Sequence, residues 1–421
     1  MSNIERRTIV DEFGELTQRM SARGKWVNET RTVNEITFNV DGKKKTDDYM
    51  RAVVSMPCKI RLNILNDRAE IKGDHKDLPN KWEPMSDVYH AAISNHVLDV
   101  GMTGRDRIND AMTTFSYRNR YHPIKEFFEN TTWDGEDHLS NMLSHFTFDE
   151  KSKEWGNVFF RKWMIGAIAK VYEQAQNFML VLDGKQGLGK SFWARWLCPL
   201  PRLFLESPLN PDDKDSYLRL ASYWLWEVGE LGATTRKADR DAMKDFITRR
   251  EVTMRKPYGR HDIIKNATAS LVGTINEDGA GFLNDRTGNR RFAVCCIEEI
   301  DRNYSTIDSS QLWAQIYSIY KSGESWHLDD DAKEAQIKLQ ESYETMSAVD
   351  QYLWQSFEIS GDGWISSADI LATLKDSGIN GNDRSNLMEL SGVLKSKGCK
   401  KVKRKNRWGF SGVAYLGKQL N

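Results

Sequence analysis

The sequence predicts an α/β protein with three parts: a mixed α/β N-terminal region over residues 1–120, a parallel-sheet domain over 121–344, and a basic winged-helix-like domain over 345–421. Three observations predict this fold class. Strands alternate with helical stretches in the middle of the chain, a phosphate-binding motif follows one of those strands, and lysine and arginine accumulate towards the C-terminus. At 421 residues the chain also exceeds one ordinary domain.

The composition indicates a soluble globular protein. The mean hydropathy is -0.62, no run of about eighteen apolar residues occurs, and the N-terminal segment is acidic where a signal peptide is apolar. We therefore expect a cytoplasmic protein that does not contact membranes. Basic and acidic residues balance at 60 each, so binding to nucleic acid requires local basic patches. An odd number of cysteines without a CxxC pair predicts reduced structural thiols rather than disulfides or a zinc site: Cys58, Cys198, Cys295, Cys296 and Cys399.

Before the phosphate-binding motif, the sequence predicts strands and several helices. Residues 58–65 alternate in polarity, which predicts a strand in the N-terminal region. Residues 120–143 combine a helix that starts at a proline, an Asp-Gly turn and a second amphipathic run, which together mark the entry into the central domain. A helix over 155–174 and a buried strand over 178–182 follow.

The strongest signal is GKQGLGKS at residues 184–191, which fits the P-loop pattern GxxxxGK[ST]. It follows the apolar run FMLVLD and precedes the helical run SFWARWL, as this motif requires. Its glycines let backbone N–H groups surround phosphates, Lys190 reaches the β- and γ-phosphates, and Ser191 ligates magnesium. We predict that ATP and Mg²⁺ are bound by this loop: Gly184, Lys185, Gln186, Gly187, Leu188, Gly189, Lys190 and Ser191.

A P-loop ATPase also needs carboxylates at the end of a neighbouring strand, to hold Mg²⁺ and to polarise water. The apolar run YWLWEVGEL at residues 223–231 supplies Glu227 and Glu230. We predict that Glu227 is the metal-binding Walker B carboxylate and that Glu230 is the water-activating base. For each, a solvated residue at a strand end is the alternative.

The next apolar run, TASLVGTIN at residues 268–276, predicts a strand ending in Asn276, where the amide could orient water against the γ-phosphate. Beyond it, NDRTGNRRF carries Arg286, Arg290 and Arg291. Guanidinium groups stabilise charge on a transferring phosphoryl group, in the same chain or from a neighbouring subunit. A salt-bridged surface loop is the alternative, and the pattern does not decide which arginine acts.

Between these two strands, residues 251–264 predict a hairpin whose turn contains Pro257-Tyr258-Gly259. Its tip combines cations for backbone phosphates with an aromatic ring for an exposed base. The predicted DNA-binding residues here are Arg255, Lys256, Tyr258, Arg260 and His261. An ordinary charged hairpin tip is the alternative.

The C-terminal segment predicts a winged helix, with helices over 347–357, 366–374 and 384–398 and a two-stranded wing over 399–416. Ser366 or Ser367 would cap the second helix. Basic residues crowd the third helix and the wing, and Trp408 follows them. The predicted DNA contacts are Lys400, Lys401, Lys403, Arg404, Lys405 and Arg407, and a solvated basic face is the alternative.

Six segments in this order resemble the virulence-associated protein E family, the superfamily 3-like AAA+ helicases of phages and mobile genetic islands. They span residues 121–292: YHPIKEFFENTTWDGEDHL, RKWMIGAIAKVYEQ, MLVLDGKQGLGKS, WLWEVGEL, RKPYGR and TGNRRF. The resemblance implies a homo-hexameric, ATP-driven ring that translocates on single-stranded and forked DNA during replication, with partners such as a primase or an initiator.

Residue by residue, the resemblance assigns nucleotide and magnesium binding to Lys190 and Ser191, and Walker B to Glu227. It assigns the sensor 1 position to Asn276 and the arginine finger to Arg290 or Arg291. Many superfamily 3 relatives carry adjacent acidic residues at Walker B, whereas Val228 and Gly229 separate Glu227 from Glu230 here, which leaves the catalytic base open.

Relatives are often fused to a primase, but residues 1–120 are too few for one, so we expect this region to serve assembly or to bind DNA or a partner. The alternative to a helicase is a DNA-binding AAA+ initiator or remodelling ATPase without processive unwinding. A small-molecule kinase ranks last, because it leaves the hairpin, the arginines and the basic C-terminus unexplained.

Overall fold

Four hydrophobic clusters organise the part of the chain that the structure, a computed structural model, describes. The described residues are 5–42, 44–210, 213–229, 231, 243–255, 262–276, 289–341, 353–376, 383–404 and 406–416. One cluster lies in the N-terminal region, two cover the two faces of a central six-stranded sheet, and one lies near the C-terminus. No helix of the described residues is long and apolar enough to span a membrane.

The N-terminal region contains two four-stranded sheets and three helices, more strands than the single one that the sequence predicted. The first sheet is an antiparallel meander of β1 (Arg6–Asp11), β2 (Gly14–Met20), β3 (Trp26–Val33) and β4 (Ile36–Asn39). The helices are α1 (Thr46–Ser55), α2 (Asp87–Asp99) and α3 (Arg105–Arg118). The second sheet has the order β7-β6-β5-β8 and consists of β5 (Cys58–Asn63), β6 (Arg68–Gly73), β7 (Glu83–Pro84) and β8 (Arg120–Tyr121).

The central region follows the predicted alternation of strands and helices. Before the loop with the GKQGLGKS motif come α4 (Pro123–Asn130), α5 (His138–Ser144), β9 (Phe146–Phe148), α6 (Gly156–Glu173) and β10 (Met179–Asp183). After it come α7 (Lys190–Leu197), β11 (Phe204–Glu206), α8 (Lys214–Leu220), β12 (Leu225–Val228), β13 (Glu251–Arg255), β14 (Asp262–Asn266), β15 (Ser270–Ile275), β16 (Phe292–Ile300), α9 (Ser309–Lys321) and α10 (Asp330–Glu341).

The main sheet has the strand order β11-β12-β15-β10-β16-β9, and all neighbouring pairs are parallel except β16 with β9. Side chains of β10 alternate between the two clusters, with Leu180 and Leu182 on one face and Met179 and Val181 on the other. A strand buried on both faces needs a continuous apolar run, and this is the sequence of β10. The predicted parallel sheet is therefore confirmed.

Helix α6 packs closely against this sheet and is fixed to it by polar contacts. The indole of Trp163 donates a hydrogen bond to the carbonyl of Leu271 at 3.1 Å. The amide Nδ2 of Asn177 donates to the carbonyl of Trp163 at 2.9 Å and to Ser270 Oγ at 3.4 Å. The Asn177 side chain fills the space beside Gly166, where a Cβ would lie 2.3 Å from Asn177 Oδ1. Glycine is thus required at position 166, because the Asn177 side chain lies too close to leave room for a Cβ atom.

The predicted hairpin is formed by β13 and β14, which pair antiparallel from Glu251 opposite Asn266 to Arg255 opposite Asp262. Its turn, residues 256–261, lies outside the described residues. The root of the hairpin is joined to the N-terminal region, because Lys265 Nζ lies 2.9 Å from Asp67 Oδ2 and also donates to the carbonyl of Leu65. The Lys265 side chain is only 10% exposed, so this ion pair is largely shielded from solvent.

The C-terminal unit contains β17 (Phe357–Ser366), α11 (Ser367–Asp376), α12 (Asp383–Ser396), β18 (Lys400–Arg404) and β19 (Arg407–Tyr415). The two predicted helices and the hairpin after them are present, and Ser366 Oγ accepts the capping hydrogen bond from the Asp369 amide at 3.1 Å. One expectation was wrong, because the sheet has three strands, in the order β17-β19-β18. Of the predicted first helix, residues 347–352 lie outside the described residues, and 353–356 are helical. Phe357 already belongs to β17, because its side chain is buried in the C-terminal cluster and it pairs with Tyr415.

Replacing Gly166 by alanine tests the close contact between α6 and the loop that follows it. We expect Gly166→Ala to lower the free energy of unfolding by about 1–3 kcal/mol, because the hydrogen-bonded Asn177 side chain must move to admit a methyl group. Calorimetric unfolding of the purified variant measures the effect.

The matched control is Gly392→Ala on α12, where nothing lies within 4 Å of the added methyl group. Alanine is the better helix former, so this change should leave stability unaltered or raise it by up to about 1 kcal/mol. Equal stability changes in the two variants would contradict the packing argument.

Candidate functional site

The loop after β10 lies at the edge of the main sheet where the parallel strands end. Since β10 is flanked by β15 and β16, running in the same direction, the residues that follow each strand meet at one edge. The loop connects β10 to α7 and packs against β16, where a Cβ on Gly184 would lie 2.4 Å from the carbonyl oxygen of Ile297. Only glycine permits this approach, and Gly189 at φ +95 adopts a backbone conformation that other residues rarely take.

Lys190 is the first residue of α7, and its side chain turns back into the loop. Its ammonium donates hydrogen bonds to the carbonyls of Gly184 at 2.6 Å and Lys185 at 2.8 Å, and the residue is 6% exposed. The side chains of Lys185 and Gln186, and Gly187 beside them, are exposed. The loop thus holds one buried cation at its centre and opens to solvent on its outer side.

Glu227 lies next to the end of β12 and is 1% exposed. Its Oε1 accepts a hydrogen bond from Thr274 Oγ1 at 3.4 Å. Burial raises the pKa of the Glu227 carboxyl, while hydrogen bonding by Ser191 and Thr274 acts in the opposite direction. The structure therefore brings Ser191 and Glu227, from the start of α7 and the end of β12, to the same corner of the site.

A magnesium ion fits the residues of this corner. The carboxylate and hydroxyl oxygens of Glu227 and Ser191 are of the type that Mg²⁺ prefers. The buried Oε2 of Glu227 has no hydrogen bond of standard geometry from the described residues, so a ligand there would satisfy it. Among the described residues no group of three His, Cys, Asp or Glu side chains forms a metal-binding cluster. The corner thus suits a cation that takes most of its ligands from water and phosphate, as magnesium does.

Three further side chains lie at this edge, and the sequence analysis missed them. Thr274 of β15 contacts Glu227, and Glu206 at the end of β11 lies beside Glu227 in the sheet register and raises its pKa. Glu206 forms an ion pair with Arg195 of α7. Alternation along TASLVGTIN could have identified Thr274, because it shares a strand face with Asn276. The three-residue strand β11 is too short to be recognised from its sequence.

The third missed side chain is Arg302, in a 3-10 helix (Arg302–Thr306) directly after β16. Its Nε lies 3.6 Å from the position that a Cβ on Gly189 would occupy. The residue is exposed, and among the described residues no ion pair involves it. A second cation thus lies beside the loop after β10 in the same chain, and no sequence motif marks it.

The remaining predicted catalytic residues are not all close to the loop. Asn276 directly follows β15 at the same edge, with an exposed side chain. Glu230 and Arg286 lie outside the described residues. Arg290 and Arg291 belong to a 3-10 helix (Asn289–Arg291) that precedes β16, where Phe292 pairs with Met179 at the beginning of β10. Within one chain these two arginines therefore lie at the opposite edge of the sheet from Lys190.

The predicted DNA-binding residues fall in two places. Arg255 ends β13, whereas Lys256, Tyr258, Arg260 and His261 lie outside the described residues. The basic C-terminal residues are exposed on the edge strand β18 and on the start of β19: Lys400, Lys401, Lys403, Arg404 and Arg407. Lys405 lies outside the described residues.

The chain matches the model of one protein family and is similar to several solved structures. The Virulence-associated protein E-like domain matches residues 128–345. An apo structure of the C-terminal region of NrS-1 has 13% sequence identity and a TM-score of 0.48; the alignment covers 89% of this chain and 100% of that one. The A form of the same region gives 13% identity, a TM-score of 0.49, and coverage of 88% and 100%. No curated protein matches the chain.

Glu227 makes the stability of the ligand-free protein depend on pH. Because burial raises the pKa of this carboxyl, its contribution to stability is present when it is protonated and is lost as the pH rises through its pKa in the folded protein. Glu227→Gln removes the buried charge, so we expect a higher Tm than wild type at neutral pH. The difference should vanish at about pH 4, where the wild-type carboxyl is largely protonated.

Calorimetry in buffer without magnesium or nucleotide measures both values. Glu154→Gln, at an exposed position, is the matched control and should leave Tm unchanged across the range. A Glu227→Gln protein no more stable than wild type at neutral pH would contradict the role of burial.

Proposed function

This chain belongs to the Virulence-associated protein E-like family, and we propose that it is an ATP-dependent DNA helicase acting in the replication of a phage or mobile genetic element. Its central region would be a P-loop AAA+ domain of the superfamily 3 type. One observation carries the proposal: Lys190, Ser191 and Glu227 converge at the edge of a parallel sheet where the phosphate-binding loop lies. This arrangement supports hydrolysis of ATP rather than passive binding of an anion.

In the proposed site, the loop backbone surrounds the phosphates of ATP. Lys190 exchanges its two hydrogen bonds to loop carbonyls for bonds to the β- and γ-phosphates, so its ammonium is already desolvated and held at the loop before ATP arrives. Ser191 and Glu227 would hold Mg²⁺, whose charge stabilises the phosphate oxygens. Thr274 keeps the Glu227 carboxylate oriented towards this position.

The proposed nucleophile is water, which the exposed Asn276 side chain would help to orient at the same edge. Glu230 remains the proposed base. Glu206 is another strand-end carboxylate and lies opposite Glu227 in the sheet register, but its ion pair with Arg195 favours a structural contribution to the electrostatics around Glu227.

The position of Arg290 and Arg291 supports action on a neighbouring subunit. In their own chain they lie at the opposite edge of the sheet from the loop, so they cannot approach phosphates bound there. An arginine that completes the site of an adjacent copy fits a ring in which each nucleotide lies between two subunits. We propose a homo-hexameric ring, with a primase or an initiator among its partners.

DNA would be engaged by the hairpin and by the basic C-terminal unit. The hairpin connects β12 to β15, the two strands that carry Glu227 and Thr274, so its position is tied to the site of hydrolysis. Helices α11 and α12 followed by the β18–β19 hairpin match the order of elements in a winged helix, a common DNA-binding module. These features support single-stranded and forked DNA as the substrate.

The first experiment measures steady-state ATP hydrolysis with and without single-stranded DNA, and displacement of a labelled strand from a forked duplex. Wild type should show hydrolysis that DNA stimulates, together with displacement. Lys190→Ala should lower kcat for hydrolysis at least about a hundredfold, because it removes a group that binds the transferring phosphoryl. Lys153→Ala is the matched control and should keep wild-type activity, because its side chain is 72% exposed and, among the described residues, pairs with its neighbour Glu150 alone.

The outcomes separate the two proposed functions. Hydrolysis without displacement would favour a DNA-binding AAA+ initiator or remodelling ATPase, for which the basic C-terminal unit supplies recruitment. Absence of hydrolysis in both conditions, or equal hydrolysis by Lys190→Ala, would overturn the assignment of the site.

Arg302 provides a second, independent check of the nucleotide site. We propose that its guanidinium contacts the phosphates of ATP from the same chain, because it stands beside Gly189. Arg302→Gln should weaken binding of a fluorescent ATP analogue by about ten- to a hundredfold, the effect expected for lost hydrogen bonds to a charged group.

Arg105→Gln on α3 is the control of the same chemistry at an exposed position in the N-terminal region, and it should leave the affinity unchanged. If Arg302 contacts phosphates, inorganic triphosphate should lose affinity by the same factor as the analogue. Unaltered binding by Arg302→Gln would refute the contact.

A further inference from the structure

The outer face of the C-terminal sheet carries a tryptophan among cations. Residues opposite each other in antiparallel strands point to the same face, and Ser411 of β19 lies opposite both Trp364 and Lys400. Arg404 lies four residues after Lys400 on β18 and therefore points to the same face, as does Arg407, its partner on β19. One face of the sheet therefore displays Trp364, Lys400, Arg404 and Arg407.

The other face of the sheet holds the core of the unit. Ile365 and Phe410 are paired neighbours there, 6% and 1% exposed, and they belong to the cluster that α11 and α12 cover. Trp364 does not belong to this cluster and remains partly exposed. The face that carries Trp364 is thus the solvent face.

The indole of Trp364 lies flat on the sheet. A Cβ on Gly409 would lie 2.7 Å from both Cε2 and Cζ2 of the ring, and the indole N–H donates a long hydrogen bond of 3.5 Å to the carbonyl of Val402. The ring therefore spans from its own strand across β19 to β18, with its inner side against backbone. Gly409 is required because any side chain there would lift the ring off the sheet.

The charged residues that the register places on this face of β18 and β19 are all positive. Lys400, Arg404 and Arg407 are exposed, and no ion pair among the described residues involves them. Strand β18 is also the edge of the sheet, and among the described residues no strand pairs with its outer side. A flat aromatic surface bordered by unpaired cations complements a ligand with a planar ring and a negative backbone.

We propose that this face binds single-stranded nucleic acid, with a base stacked on Trp364 and backbone phosphates on Lys400, Arg404 and Arg407. The proposal rests on the proposed function, because it specifies that the DNA bound by the C-terminal unit is single-stranded. Bases of a duplex are already stacked on one another and present only their edges, whereas a single strand can lay a base against the indole.

The test measures binding of labelled oligothymidylate and of a labelled duplex by fluorescence anisotropy, without nucleotide. The background is the full chain with Lys256→Ala and His261→Ala, which reduces binding at the hairpin. Trp364→Ala should weaken single-strand binding by about 5- to 100-fold, the effect of losing one stacked base, and should leave duplex binding unchanged. Trp364→Phe retains a ring and should keep most of the affinity.

Two controls separate stacking from loss of structure. Trp408→Ala removes a tryptophan that is 56% exposed, near the tip of the β18–β19 hairpin. Trp408 lies with Lys403 on the other face of the sheet, so single-strand affinity should stay within about twofold of the background. Lys400→Ala with Arg404→Ala should reduce the slope of log affinity against log salt by about 1.4 for the single strand, as expected for two phosphate contacts.

Equal loss of single-strand and duplex binding, a loss in Trp364→Phe as large as in Trp364→Ala, or no loss at all would overturn the proposal. Hydrolysis of ATP in the absence of DNA should be unchanged in Trp364→Ala. A wrong assignment of the nucleotide site would be revealed by the ATP hydrolysis of wild type and Lys190→Ala. The two proposals are therefore tested by different measurements.

Discussion

The site depends on the burial of β10 on both faces between two parallel neighbours. A strand in this position can carry no functional side chain along its length without breaking one of the two hydrophobic clusters. Polar groups are therefore confined to the edge where β10, β12 and β15 end together. The loop that leaves β10 packs against β16 at Gly184, and this contact fixes the start of the loop backbone relative to the sheet.

The same edge holds two ionisable side chains, Lys190 and Glu227, away from solvent. Loop carbonyls accept hydrogen bonds from the Lys190 ammonium, and the hydroxyl groups of Ser191 and Thr274 hydrogen-bond to the Glu227 carboxyl. Neutral dipoles compensate a buried charge only in part, which is why burial still raises the pKa of Glu227. A ligand that brings negative phosphates to the lysine and a cation to the carboxylate would complete both environments at once, so ligand affinity is obtained at the expense of stability in the empty site.

Sequence patterns predicted the strands and helices that have regular apolar spacing. They did not predict the features that depend on tertiary contacts. The strands β10, β12 and β15 and the helix α6 follow from apolar runs and helical spacing, and the motif predicted the positions of Lys190 and Ser191 at the start of α7. Glu206, Arg302 and Trp364 have no local signature, because their positions depend on strand register and on chain segments far apart in sequence. The N-terminal meander was missed for another reason: β1 is exposed along its whole length, and β2 and β3 bury few side chains and show little alternation.

The ion pair between Lys265 and Asp67 has a mechanical consequence. It joins the root of the hairpin to the N-terminal region at a position shielded from water, where separating the two charges costs more than it would at the surface. The N-terminal region and the root of the hairpin therefore share one anchor point. A displacement of the hairpin relative to the main sheet must either carry the residues around Asp67 with it or break this shielded link, so the N-terminal region would share any force applied to the hairpin.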